Sequence, residues 1–448
     1  MDHKKKIRKV LPFFSLFLLA GLMSFVLSPV WGWEMQDKEL AKDWEKMLGY
    51  KAPDLVGKIA PDIKVGMVID SNNYKQYPGL QELLPKCLYD RLDPNSYAPL
   101  APIKIAKTDQ HVISRGFLEK SLQNEKTCHF GEDGLSLVGY NGGLPFVHPK
   151  NGNELVNWSD NSYLGDTFAM RPMRLRLYTR ENRPERELRQ NLGFLRYAAC
   201  TDGKANMDPN PQQLHYVSAG VFVYPKDVSG AAYARNRYLP ANKSDEFLLY
   251  IPSMRRLRRM GGRDTQDPLF GSDLVWDDYN IYWQKLSTTE FPNDYKILPM
   301  TEKLMPTFIY YNWPDDRATA GYKDYNIDES GKQAYVNFGS WQRRPLYPLE
   351  ITSKDPNYLY SKRVILLDVE TGLKLQSEMY DKSGRLWRTW VRDYNLSPTG
   401  KGGVMEDIID IVDHINTHRT VLDFKGEMNP KWMGYEYGDA RYLSKMAK

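Results

Sequence analysis

The sequence predicts a mainly β protein with an α-rich N-terminal region. Met170–Tyr178 alternates polar and apolar residues, which is the spacing of a strand with one solvated face. Three segments between Tyr358 and Tyr394 are rich in aromatic and branched residues and are separated by short turns. The first hundred residues instead have the spacing and charge of amphipathic helices. These observations favour an antiparallel sheet preceded by helices.

Residues 1–32 have the composition of a secretory signal. Lys4–Lys9 is basic, Val10–Leu27 is apolar and uncharged, and Val30–Gly32 offers a cleavage site before Trp33. An uncleaved membrane anchor is the alternative, because the apolar run approaches the length that spans a bilayer. We therefore expect an exported protein of the periplasm, and an association with the outer membrane stays open.

Residues 33–137 are expected to form an α-rich cap, followed by a β-sheet domain over residues 138–448. Three segments of the cap have helical spacing: Glu34–Leu48, Leu80–Leu92 and His111–Lys126. Pro85 lies within the second segment and predicts an interruption there.

The β domain begins with the alternating strand at Met170–Tyr178. Gly193–Cys200 and Leu214–Tyr224 are further predicted strands. Arg183–Arg189 is highly charged and is predicted to be a solvated loop or hairpin tip. Residues 305–344 are rich in Asp, Asn, Gly and Tyr, which predicts long loops.

The clearest β pattern lies near the C-terminus. Its predicted strands are Tyr358–Val369, Leu373–Tyr380 and Leu386–Tyr394. Short turns that contain Gly372 and Gly384 join them, so the segments predict an antiparallel meander.

The composition narrows the classes of ligand. The formal net charge is +5 at pH 7, and much of it lies in the signal segment. The remaining chain is nearly neutral, so no nucleic-acid-binding surface is predicted. The 30 Tyr and 11 Trp residues are typical of a lipid groove, a sugar-binding platform or an ordinary large sheet.

Three cysteines leave at least one thiol unpaired in an oxidising compartment. Cys87 and Cys128 both lie in the N-terminal region and are the favoured disulfide pair. Cys200 follows an apolar segment and is expected to be a buried small hydrophobe rather than a catalytic thiol.

No sequence pattern indicates catalysis. The chain has no nucleophile elbow, phosphate-binding loop or dinucleotide motif. His414 and His418 have the spacing that holds a metal on a helix, but no general-base glutamate or third ligand is evident. Asp277, Asp278 and residues 407–413 supply carboxylates. The sequence does not indicate that any two of them face each other across a glycosidic bond. We therefore predict no enzyme activity, no metal and no cofactor.

Residues 250–283 are the most distinctive part of the chain. Arg255, Arg256, Arg258 and Arg259 form two pairs, followed by a Gly-Gly turn and an acidic aromatic stretch. With the motifs at Gly143–Phe146, Gly152–Trp158 and Arg343-Arg344-Pro-Leu-Tyr, this pattern resembles the family called domain of unknown function 1329. That family is related to the lipoprotein carriers LolA and LolB.

The resemblance covers much of residues 138–395 and implies both a fold and a function. The implied fold is a strongly curved antiparallel sheet, an incomplete barrel of the LolA/LolB type, with helices on its concave face. The implied function is binding and transfer of a lipid or other apolar small molecule with an envelope export system. Implied protein partners are a transporter of the resistance-nodulation-division type and an outer-membrane barrel protein.

The arginine pairs have two explanations, and both stay open. They bind acidic residues such as Asp273, Asp277 and Asp278, or they contact a lipid phosphate or a partner protein at the rim of the sheet. Arg343 and Arg344 are candidates for the same rim contact.

Large apolar residues at alternate strand positions are candidate walls of an apolar cavity. They are Leu175, Leu177, Val221, Phe222, Ile365, Leu367, Trp387 and Trp390. A register error of one residue would reverse the face that each side chain takes. Two other functions stay open: a non-transporting accessory or structural subunit of an outer-membrane or efflux complex, and a protein that binds envelope glycans or acts on them.

Overall fold

The computed structural model describes residues 38–262, 264–306, 327–331, 333–396 and 404–430. The expected signal segment lies outside these residues. The described residues belong to one compact unit that is built on a single large sheet. The mainly β fold class is therefore confirmed.

The helices are short, and five of the six described helices precede residue 138. They are α1 Lys38–Leu48, α2 Ala52–Leu55, α3 Leu80–Leu83, α4 Lys86–Tyr89, α5 Arg115–Thr127 and α6 Gly152–Asp160. Pro85 separates α3 from α4, and the Ser114 side chain caps α5 by accepting a hydrogen bond from the Phe117 backbone N–H. The three predicted helical segments are confirmed as α1, as α3 with α4, and as α5, which begins at Arg115 rather than at His111.

The strands fall into one large sheet and two small hairpins. They are β1 Val68–Ile69, β2 Ile103–Ile105, β3 His129–Phe130, β4 Leu137–Val138, β5 Thr167–Tyr178, β6 Pro184–Arg196, β7 Leu214–Tyr224, β8 Ala232–Tyr238, β9 Glu246–Ile251, β10 Arg256–Met260, β11 Asn293–Ile297, β12 Thr301–Pro306, β13 Ile327–Asp328, β14 Tyr335–Val336, β15 Ser340–Ser353, β16 Lys362–Asp368, β17 Lys374–Tyr380, β18 Leu386–Leu396, β19 Val404–Asp413 and β20 His418–Met428.

The large sheet has the order β1-β2-β15-β16-β17-β18-β19-β20-β5-β6-β7-β8-β9-β10, with β11 and β12 also paired to β15. Its neighbouring strands are antiparallel, except that β2 and β15 are parallel. The predicted C-terminal meander corresponds to β16–β18 and is confirmed. Within the described part of the chain, β1 and β10 end the sheet, which does not close into a barrel.

The sheet is strongly curved, as contacts of one short segment demonstrate. Asp278 binds Arg363 on β16, whereas the adjacent Tyr279 packs against Tyr233 on β8. The sheet order places β8 eight inter-strand spacings from β16. In a flat sheet, these spacings would separate the two partners by about 38 Å. Only a curved sheet brings both strands within reach of two successive residues.

The outer face of the sheet is covered by the N-terminal segment. Val391, Ile408 and Val421 point outward and share an apolar cluster with Leu88 and Ile103. The N-terminal residues also add β1 and β2 to the sheet edge. The division into a cap and a β domain at residue 138 stays a prediction.

Two local predictions are wrong. Arg183–Arg189 is not a loop, because β6 begins at Pro184 and the hairpin turn lies just before it. Charged residues suit this strand because its exposed face forms ion pairs, such as Arg186 with Asp227. The described part of residues 305–344 also contains β13, β14 and the start of β15; residues 307–326 lie outside the described residues.

Candidate functional site

Residues 269–286, here called the covering segment, lie across the concave face of the sheet. Trp276 packs edge-on against Tyr233 and Phe247 at one side. Asp273 accepts a hydrogen bond from the Thr420 hydroxyl at 2.8 Å. The segment has little regular structure, so these side-chain contacts hold it in place.

A cavity lies between the covering segment and the concave face. The space that the centre of a water-sized sphere can occupy is about 60 Å³, and all the space between the lining atoms, the open mouth included, is about 710 Å³. Apolar side chains from both sides of the fold line it: Leu164, Phe168, Met170, Met173, Leu192, Phe194, Leu274, Trp390, Ile409 and Leu422. An apolar lining of this kind favours an apolar ligand.

One wall of the cavity contains a buried group that is available to a bound molecule. The indole N–H of Trp390, a lining residue, has no hydrogen-bond partner in the described structure. Buried polar groups normally have partners, so this N–H can donate to a polar atom inside the cavity.

The cavity lining also contains polar residues. They are Asp160, Ser162, Arg196, Asn280 and Arg392. Arg392 donates a hydrogen bond to Asn280 Oδ1 at 2.7 Å, and Asp160 forms an ion pair with Arg237. The lining therefore combines apolar and charged side chains.

Buried carboxylates anchor the covering segment. Asp278 accepts a hydrogen bond from the Tyr360 hydroxyl at 2.8 Å and pairs with Arg363, and all three side chains are buried. The neighbouring Asp277 has no such ion pair within the described part of the chain, although Tyr358 donates a hydrogen bond to it at 3.1 Å. Burial raises the pKa of Asp277 to about 6.

A histidine connects the covering segment to β20. His418 Nδ1 lies 2.7 Å from Asp273 Oδ2, and its Nε2 lies 3.2 Å from Glu185 Oε2. The hydrogen bond to Asp273 raises the pKa of His418 to about 9, with a smaller contribution from Glu185. The imidazolium is thus a structural cation at neutral pH.

The two histidines singled out in the sequence are not on a helix. His414 lies in the turn between β19 and β20, and His418 begins β20. His414 lies 2.9 Å from the Thr389 hydroxyl, away from the partners of His418. Within the described part of the chain, no group of three or more His, Cys, Asp or Glu residues is arranged to hold a metal.

The favoured disulfide between Cys87 and Cys128 is not formed, and this prediction is corrected. Cys87 belongs to the outer apolar cluster, where its thiol donates a hydrogen bond to Glu378. Cys128 ends α5 instead. Burial raises the pKa of all three thiols, to about 11 for Cys128 and Cys200.

The candidate wall residues lie in different parts of the fold. Trp390 lines the cavity. Leu175, Leu177, Phe222, Ile365 and Leu367 are buried but are not part of the cavity lining, and Phe222 packs against Phe270 of the covering segment. Val221 lies in an apolar cluster on the outer face, and Trp387 packs on Tyr360 near the end of a hairpin.

The candidate rim arginines fall into an exposed group and a buried pair. Residues Arg255–Arg259 lie in the exposed hairpin of β9 and β10. Arg258 pairs with Asp264 and Arg259 pairs with Glu246. The predicted pairing of these arginines with Asp273, Asp277 or Asp278 is therefore wrong. Arg343 and Arg344 are buried, and Arg344 pairs with Asp368 and Glu370.

Sequence patterns missed most of the cavity wall. A register irregularity between Met170 and Met173 interrupts the alternation on β5, and both residues line the cavity. Strict alternation would place residues three apart on opposite faces. The polar residues Asp160 and Arg196 gave no local signal, because distant strands and α6 bring them together.

A second cavity lies under the N-terminal segment on the outer face. The space that the centre of a water-sized sphere can occupy there is about 380 Å³, and about 890 Å³ with open space included. Its lining contains the charged residues Lys86, Asp90, Arg91 and Glu378 beside apolar residues such as Leu386 and Val412. Charged side chains form a larger share of this lining than of the concave-face lining, so the concave-face cavity is the candidate site for an apolar ligand.

The family model described as "Protein of unknown function (DUF1329)" matches residues 68–446. This match spans most of the chain. The protein belongs to this family. No protein with curated annotation matches the chain.

Two solved structures are similar to the chain. A DUF1329 family protein from Desulfovibrio piger ATCC 29098 is 16% identical, and the match covers 65% of this chain and 97% of that one, with a TM-score of 0.42. A LolA superfamily protein from Nitrosomonas europaea is 14% identical, with 66% and 100% covered and a TM-score of 0.36.

Motifs that resemble the DUF1329 pattern serve the fold in this chain. Gly143 has a φ of +75°, and a Cβ there would lie 2.6 Å from the Ser121 backbone nitrogen on α5. Glycine is therefore required at this close approach. Trp158 on α6 donates its indole hydrogen bond to the Phe146 carbonyl. These residues position α6, whose last residue, Asp160, reaches the cavity.

Proposed function

We propose that this protein binds a lipid or a similar apolar molecule in the concave-face cavity. The observation that carries the proposal is the apolar lining contributed by β5, β6, β18, β19 and β20 under the covering segment. Burial of apolar surface contributes about 25 cal/mol per Å² before the costs of association. No reaction is part of the proposal.

We further propose that the bound molecule is carried through the periplasm. The composition of residues 1–32 supports export. In the described part of the chain, no helix is long and apolar enough to cross a membrane. Transfer to or from an export system of the resistance-nodulation-division type, or an outer-membrane barrel protein, is the finer part of this proposal.

Lipid titration of a cavity variant tests the binding proposal. Leu192 lines the cavity on β6, so Leu192→Gln places an amide against the expected acyl chain. Val223→Gln is the matched control, because Val223 is 42% exposed on the neighbouring β7. A fluorescent fatty-acid analogue should bind the wild type and the control equally well. It should bind Leu192→Gln about fivefold or more weakly, since a buried amide without a partner costs about 1–3 kcal/mol.

Circular dichroism melting checks that the Leu192→Gln variant is folded. The absence of lipid uptake by the wild-type protein, or equal uptake by the folded Leu192→Gln variant, would contradict the proposal.

An accessory role in a protein complex is the second candidate function. The β9–β10 hairpin favours it, because β10 is an end strand of the described sheet and Arg255 and Arg256 are exposed. Met254 and Leu257 are exposed beside them, at 59% and 44%. An unpaired strand edge with exposed arginines and apolar residues suits a protein partner.

A pull-down separates the two functions. The wild type and the double variant Arg255→Gln/Arg256→Gln are each used to capture proteins from an envelope extract. If the hairpin is a docking edge, the variant should fail to capture proteins that the wild type captures. Loss of partners without loss of lipid binding would favour the accessory role, whereas unchanged partners would exclude the hairpin.

A further inference from the structure

We propose that the molecule bound in the cavity carries an anionic head group, a carboxylate or a phosphate, and that Arg196 binds it. This inference rests on the proposed function and specifies its ligand. The site is the part of the cavity lining around Arg196, which contacts Ser162 and shares the lining with Asp160 and Asn280.

Arg196 is a buried cation whose described hydrogen-bond partners are uncharged. Its guanidinium donates hydrogen bonds to the Gly165 and Ser162 carbonyls and lies 3.2 Å from His215 Nε2. Among the described residues, no Asp or Glu forms an ion pair with it. Arg174 and Arg363 are similarly buried, yet each binds a carboxylate.

The surroundings of Arg196 carry an excess of positive charge. Arg235 and Arg237 both pair with Asp245, and Arg237 also pairs with Asp160. Lys285 is buried nearby, and its ammonium donates a hydrogen bond to the Tyr238 carbonyl at 2.7 Å. Arg235 also interacts with the charge of the buried Asp277, so these three cations and Arg196 face three carboxylates.

The protonation states around Arg196 agree with this excess. Burial, together with Arg196, Lys285 and Arg237, holds the pKa of His215 well below its usual range. Burial lowers the pKa of Lys285 to about 8, so most of it stays charged at neutral pH. An uncompensated buried charge is costly, and an anionic ligand would offset it.

Two nearby acids do not remove the need for an anion. Asp160 faces the cavity, but its carboxylate is engaged by Arg237. The Asp166 carboxylate accepts hydrogen bonds from the backbone N–H groups of Thr201, Asp202 and Lys204 instead of from Arg196. A ligand carboxylate or phosphate would also match the planar donor geometry of arginine.

The tail of such a ligand would lie in the apolar part of the same cavity. Phe194 and Leu192 precede Arg196 at alternate positions of β6, and all three line the cavity. One strand therefore presents a cation and two apolar side chains on one face. This order fits a molecule with one charged end and an apolar chain.

Calorimetric titration of the full chain with three ligands of equal chain length tests the inference. Dodecanoate and dodecyl phosphate are the anions, and dodecanol is the neutral probe. We expect at least one anion to bind about tenfold or more tightly than dodecanol, since a hydrogen bond to a charged group is worth about 1.5–3 kcal/mol. The preferred anion distinguishes a carboxylate from a phosphate head.

Variants of Arg196 assign the preference to a residue. Arg196→Gln should reduce the ratio of anion to alcohol affinity to near one, and Arg196→Lys should restore part of it. Arg256→Gln removes an exposed arginine and is the control for net charge. If Arg196→Gln fails to fold, Lys285→Met, which removes a second cation of the cluster, should lower the same ratio.

The outcomes separate this inference from the proposed function. Equal binding of anion and alcohol by the wild type would overturn the anionic head group and leave the apolar cavity in place. An anion preference that Arg196→Gln retains would overturn the role of Arg196. Binding of none of the three ligands would overturn both the inference and the proposed function.

Discussion

Arg344 and Arg256 have the same side chain but opposite surroundings. Arg344 is fully buried between Asp368 and Glu370, and its guanidinium also donates a hydrogen bond to the Asp109 carbonyl. Arg256 is exposed on β10. The partners of each arginine, rather than the motif in which it stands, therefore decide its contribution to stability.

Substitution of the two arginines should give very different losses of stability. Arg344→Met leaves two buried carboxylates without their cation and should lower the free energy of unfolding by about 3–5 kcal/mol. Arg256→Met, the matched control, should change it by less than about 0.5 kcal/mol. Urea denaturation measures both, and similar losses for the two variants would contradict the assignment.

Asp277 should make the protein less stable as the pH rises. Burial raises its folded-state pKa to about 6, whereas the unfolded value is about 3.9. The folded state therefore binds the proton more tightly between these values, and stability from this group is lost as pH rises from about 4 to 6. Above that window the charged form costs about 2–3 kcal/mol.

Asp277→Asn tests this pH dependence. The variant should be more stable than the wild type at pH 8, because the amide carries no buried charge. Asp54→Asn, at an exposed carboxylate, is the control. Thermal denaturation from pH 4 to 8 measures the slope, and an unchanged slope in Asp277→Asn would exclude Asp277 as its source.

At the level of elements, the covering segment determines access to the cavity. It has one 3-10 turn, Trp276–Asp278, and is otherwise irregular, so its position depends on side chains of distant strands. His418 on β20 and Arg363 on β16 hold two of its aspartates. Weakening these contacts should open the cavity more often.

His418→Gln should loosen the covering segment. The pKa of His418 is raised to about 9, so its contribution to stability is full below about pH 6.5 and is lost as pH rises through 9. Hydrogen exchange of residues 269–286 at pH 7 should be faster in the variant than in the wild type. His148→Gln, at an exposed position, should leave the exchange rate of residues 269–286 unchanged. Equal exchange rates in the two variants would contradict the prediction.

Local patterns predicted α1, α5, β7 and the C-terminal meander because each rests on periodicity within one segment. The side of the sheet that each residue faces was harder to predict. The irregularity between Met170 and Met173 changes the alternation on β5. The covering segment could not be predicted, because its irregular backbone is held by contacts between residues more than 80 positions apart, such as Asp278 with Arg363.

At the scale of the whole molecule, curvature produces the cavity. The bent sheet brings Trp390 on β18 and Leu192 on β6 to one space, although β19, β20 and β5 lie between these strands. The N-terminal segment covers part of the outer face, and the candidate cavity lies on the concave face. Binding at the concave face is thus the central claim.

Photo-crosslinking tests that claim most directly. A fatty acid with a diazirine in its chain is bound to the full-length protein, and the complex is irradiated. Peptide mass spectrometry then maps the labelled positions. We expect labels in peptides that contain Met170, Leu192, Trp390 or Leu422, and unlabelled dodecanoate should suppress them. Labels confined to the β9–β10 hairpin or the outer face, or no competed label, would contradict the claim.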